Sequence, residues 1–93
     1  MIIPLNAGSA FQRFSVSLGG RRLSFSLRWL TRFGFYVVDI SEAGEPVVFG
    51  RALHPGQDLL AGVVTDIGKI YLVGEPATVA NLGKTNKLVF EKP

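Results

Sequence analysis

The chain has 93 residues, 47% of them hydrophobic and 11% aromatic, with no cysteine and ten Lys and Arg against seven Asp and Glu. That length holds a single domain, residues 1–93, and so short a chain buries only ~60–65% of its unfolded surface, which predicts modest stability. The composition excludes a disulfide framework, a thiolate metal site and a disordered chain, and the net charge of +3 suits a solvated surface better than a nucleic-acid track.

The opening MIIPLNAGSAF lacks the basic start and long apolar run of a secretory signal. No stretch reaches the roughly 18 apolar residues of a membrane helix. Both observations predict a protein made in the cytoplasm without a membrane partner.

Residues 11–30, FQRFSVSLGGRRLSFSLRWL, form the clearest element. Two alternating runs flank Gly19 and Gly20, the pair that supplies positive φ to a two-residue hairpin. With those glycines as the loop, Val16 faces Leu23, Phe14 faces Phe25 and Gln12 faces Leu27 on one side. Ser17 with Arg22, Ser15 with Ser24, Arg13 with Ser26 and Phe11 with Arg28 share the other, so both strands agree on the buried face.

The run FGFYVVDI, residues 33–40, buries Tyr36, Val38 and Ile40 if it pairs with the strand before it. A two-residue turn at Thr31 and Arg32 sets Leu27 against Tyr36, while a four-residue turn through Gly34 keeps the parity and slips the register by two. SEAGEP supplies the next reversal, and VVFGRAL reads as a fourth strand whose inward face is undecided. In HPGQDLLAG, residues 54–62, Pro55 and Gly56 fit the central positions of a type II turn, which makes the segment a corner. DLLAG predicts a brief apolar turn, IGKIYLV a strand, NLGKTN a loop and KLVFE the last strand. No run of ten or more residues carries a helical period. The expected fold is all-β: one antiparallel barrel-like sandwich of about six to seven short strands with little or no helix.

Catalytic equipment is not visible. His54 is the sole histidine, and zinc needs three or four convergent ligands, so no metal site is expected. No serine sits in a G-x-S-x-G elbow, and the GKT at residues 83–85 lacks the earlier glycine and following helix of a phosphate loop. Glu42 and Glu45 read as solvated loop charges. Asp39, on the Ser/Arg face, is in reach of an ion pair with Arg28 or Arg22. No catalytic residue and no cofactor are expected.

RRLSFSLRWLTRF interleaves cations and rings as single-strand nucleic-acid grooves do, but alternation sends Phe25 and Trp29 to the buried side and Arg22 and Arg28 to the other. Phe11 and Phe35 share the Arg28 side. Phe11, Arg28 and Phe35, with Val37 nearby, therefore make a candidate protein interface or a second layer of core.

Taken in order, MIIPLN, FSVSLGGRRLSFSLRW, FYVVDI, GEPVVFGRALHPGQDLLAG and NLGKTNKLVF resemble the baseplate plug family of contractile-tailed phages, across nearly the whole chain. The resemblance implies a virion structural protein, not an enzyme. It would be a subunit of a symmetric hetero-oligomeric tail baseplate, assembled in the host cytoplasm, that packs against hub, spike or tube proteins and helps close the tube before contraction. Under that reading Leu59 and Leu60 supply either the core or the same contact as Phe11, Arg28, Phe35 and Val37. The alternatives are a small β-barrel nucleic-acid-binding module, whose binding would weaken steeply with salt, and a small enzyme using His54 with distant side chains.

Overall fold

The computed structural model describes residues 2–63 and 66–93. The strands among them are β1 (Ile2–Ile3), β2 (Phe11–Leu18), β3 (Arg21–Leu30), β4 (Phe35–Glu42), β5 (Glu45–Ala52), β6 (Lys69–Gly74) and β7 (Asn86–Glu91). They make two antiparallel sheets, ordered β1-β7-β6 and β2-β3-β4-β5, and no helix forms among the described residues. The all-β expectation holds. The sheets do not close into a barrel, because each ends at two unjoined edges.

Gly19 and Gly20 have φ of 58° and 82°, the doubly left-handed geometry whose twist matches the flanking strands. The β2–β3 register follows the alternation throughout, with Phe14 opposite Phe25 and Val16 opposite Leu23. Between β3 and β4 the four-residue turn wins over the two-residue one. The Leu30 carbonyl accepts the amides of Phe33 and Gly34 at 3.0 and 2.7 Å, so Leu27 faces Val38 and Phe25 faces Ile40.

The β4–β5 pairing jumps from Val38–Arg51 to Ile40–Val48. The extra residue on β5 leaves the Gly50 amide off the ladder, and it donates to Asp39 Oδ1 at 2.7 Å. This corrects the ion pair expected of Asp39: among the described residues its carboxylate serves the bulge rather than Arg28 or Arg22. Glu42 also departs from a solvated loop charge, since its Oε1 lies 3.2 Å from Arg21.

The inner faces of the two sheets meet in one core. Leu23, Phe25, Leu27, Tyr36, Val38 and Ile40 come from one sheet, and Ile3, Ile70, Leu72, Leu88 and Phe90 from the other. Tyr36 is buried, and its hydroxyl donates to the Ser9 carbonyl at 2.7 Å, tying the segment before β2 to β4. Burial raises its hydroxyl pKa above 10.0. The unfolded chain therefore ionises first, and the contribution of this side chain, present below about pH 10, is lost as the pH climbs through the folded-state value. Tyr36→Phe is expected to lower stability by about 1 kcal/mol at neutral pH and to flatten the alkaline limb of the stability curve, as read by urea unfolding across pH.

The loop before β7 rests on two amides. Asn86, buried, accepts the Gly83 amide at 2.7 Å and donates to the carbonyl of Glu75 at 3.2 Å and to Asn81 Oδ1 at 3.1 Å. Asn81 Oδ1 also accepts the Thr78 amide at 2.7 Å, and its own amide donates to the Pro76 carbonyl.

Candidate functional site

The corner at residues 54–62 is structural. Gly56 has a φ of 78°, and the Gln57 amide reaches the His54 carbonyl at 3.4 Å, closing the turn that Pro55 and Gly56 predict. The chain then runs along β6, where the amides of Gly56 and Leu59 donate to the carbonyls of Leu72 and Ile70. Asp58 Oδ1 accepts the amides of Leu60 and Ile70, both at 3.0 Å. This anchoring sends Leu59 and Leu60 into the core, the first of the two places the sequence allows them.

His54 packs against Phe35, ring centroids 5.2 Å apart. Among the described residues no group of three His, Cys, Asp or Glu side chains gathers where a metal could sit.

What the outer face of the four-stranded sheet presents is different in kind. Phe11 pairs with Arg28, Arg28 with Val37 and Val37 with Ala52, so one row crosses all four strands. Val37 is only 8% exposed and sits between Arg28 and Ala52 in the row, so it forms the floor beneath the exposed side chains of this face. Phe11 is 50% exposed and carries the Arg13 guanidinium 5.7 Å from its ring centre, a cation–π arrangement worth about 0.5–1 kcal/mol in water. At the end of the face Phe33, Phe35 and His54 form a cluster, with 6.2 Å between the phenylalanine rings.

Phe33 and Phe49 are each 67% exposed, more than Phe11, and alternation could not have found either. Phe33 lies in the turn between β3 and β4, where there is no pleat to assign a side. Phe49 stands on the β5 bulge, beside a groove of about 340 Å³ floored by Arg13, Ser26 and Asp39. The face is cationic as well as aromatic. Arg13, Arg22 and Arg28 occupy its rows, and the ion pairs found among the described residues involve Arg21 alone.

An exposed band of Phe, Arg and His on a rigid sheet has the composition of a protein-docking surface, and it contains no convergent nucleophile and base. No curated protein matches the chain. A family model described as the cyanophage baseplate Pam3 plug gp18 matches residues 1–93. With the match running the full length of this two-sheet domain, the chain belongs to that baseplate plug family, as a structural protein of the phage tail baseplate that contacts other baseplate components in the virion.

Proposed function

We propose that the chain packs against the central hub of the baseplate through the outer face of β2-β3-β4-β5 and helps close the tail tube before contraction. Phe11, Phe35 and Arg28 form the centre of the contact, Phe33 and Phe49 widen it, and Leu59 and Leu60 hold the corner behind it. The single observation that carries this reading is the group formed by exposed Phe11, Phe33, Phe49 and Arg28 with half-exposed Phe35 on the side of the sheet away from the core. The free cations call for a partner surface that combines apolar pockets with carboxylates. The action is steric and associative: the rings exclude water at the contact, the arginines set its register, and the β-sheet supplies a stiff backing.

The test is affinity capture of the tagged protein from cells producing the parent particles, followed by identification of the hub, spike and tube subunits. The native chain should recover at least one of them, and Arg28→Glu combined with Phe35→Ser should reduce recovery at least tenfold with the thermal midpoint of the isolated protein little changed. Removing a central aromatic anchor and an arginine together is worth more than about 2 kcal/mol at a typical interface. Undiminished recovery would place the contact on another face. Recovery of nucleic acid in place of baseplate proteins, weakening steeply with salt, would replace the structural reading with the nucleic-acid one.

A further inference from the structure

A sheet edge that is long, straight and unpaired invites another strand, and proteins normally blunt such edges with bulges, prolines, short strands or covering chain. Three of the four edges here are blunted. The strand β1 has two residues and runs into Pro4, β5 carries Pro46 and the bulge, and β6 is covered by the segment from Pro55 to Leu59. The remaining edge, β2, has eight residues, FQRFSVSL, with no proline, glycine or bulge and one charge.

The direction of its backbone groups follows from the hairpin. A two-residue loop makes Leu18 and Arg21 a hydrogen-bonded pair, so the even-numbered residues of β2 bond to β3. The Trp29 amide donating to the Ala10 carbonyl at 2.8 Å continues that parity. The odd-numbered residues face outward. Phe11 is served by the Ser9 hydroxyl, which accepts its amide and donates to its carbonyl. Arg13, Ser15 and Ser17 each hold an N–H and a C=O toward open space, beside a groove of about 450 Å³ lined by Pro4, Asn6, Ser9, Phe14 and Val16.

We propose that the free protein pairs through this edge with a second copy of itself, antiparallel, about a two-fold axis at Ser15. That register alone makes the edge self-complementary. Ser15 faces Ser15 and Arg13 faces Ser17, so every outward amide meets a carbonyl. Setting Arg13 opposite Arg13 instead would place like charges together. On the core side, Phe14 of each copy lies beside Val16 of the other, covering two apolar side chains that β3 leaves half-exposed. The backbone bonds of the pairing run along the strand edge, while Arg13 and Ser17 lie on the docking-face side of the same strand; the pairing does not depend on the hub contact.

Sedimentation equilibrium from micromolar to millimolar protein tests the pairing with two variants that push in opposite directions. Ser15→Pro removes an amide that points away from β3, a position where proline is tolerated, and should shift the protein to monomer. Ser17→Glu should tighten the dimer about tenfold at low salt, because the new carboxylate lies between Arg22 of its own chain and Arg13 of the second copy. A native chain that is monomeric throughout the range overturns the proposal, and so does a dimer that neither variant changes. A monomer whose Ser15→Pro form fails to enter particles would assign the edge to an extended segment of another baseplate protein and equally overturn self-pairing.

Discussion

Phe25→Ala is expected to lower stability by about 3–5 kcal/mol, the range for truncating a buried aromatic. The ring is fully buried at the middle of β3 and stacks on Phe14 with centroids 5.2 Å apart and planes 5° from parallel. Its strand is held on both sides, by Phe14 on β2 and Ile40 on β4, so the backbone cannot close over the vacated space. A domain of this size has roughly 5–14 kcal/mol in total. The loss should thus lower Tm by roughly 15–30 °C, measured by circular dichroism on heating. Phe49→Ser provides the contrast, since a ring standing in solvent should change stability by less than about 0.5 kcal/mol. A Phe25→Ala protein within about 1 kcal/mol of the native chain would show that the sheets meet elsewhere.

The second large effect lies in the loop before β7. Asn86→Asp, nearly isosteric, should destabilise the protein by about 3 kcal/mol at pH 7. One oxygen can still accept the Gly83 amide, but the other replaces an NH2 that served the Glu75 carbonyl and Asn81 Oδ1, so acceptors would face acceptors in a buried site. Desolvation raises the pKa of such a carboxyl, and protonation returns a donor. Denaturant titrations of the variant should accordingly show stability recovering as the pH falls toward 5, while Asn86→Leu shows no such recovery. An Asp variant as stable as the native chain at pH 7 would falsify the load assigned to this amide.

Where alternation ran unbroken, the sequence was sufficient. The β2–β3 register could be counted from Gly19 and Gly20 because a two-residue loop leaves no slack, and that count put Phe11 beside Arg28. Past Leu30 the parity was fixed but two registers stayed open, since parity is blind to a shift of two and the turn length is set by the bonds from Phe33 and Gly34 to the Leu30 carbonyl. The inward face of β5 was illegible for a related reason: the register against β4 shifts on both sides of the Ile40–Val48 pair, opposite Asp39 and before Pro46, and interrupts the period within the strand. β1 escaped notice because two residues carry no period, and it exists only through its pairing with β7. On the candidate face, Phe33 and Phe49 were hidden in the same irregular places. Leu59 and Leu60 can be given to the core or to a contact by sequence alone, and the hydrogen bonds that the Asp58 carboxylate accepts from the Leu60 and Ile70 amides show which way the turn is anchored.

The pairing of β1 with β7 also dictates the order of events during synthesis. The meander from β2 to β5 is built from neighbours in the chain and can form as soon as they leave the ribosome. The other sheet joins Ile2 to Val89, with the whole meander between them, so half of the core has no second wall until β7 has been made. A nascent chain stalled before residue 86 would therefore expose the apolar side of an otherwise finished meander, the species on which chaperone binding and misassembly would act.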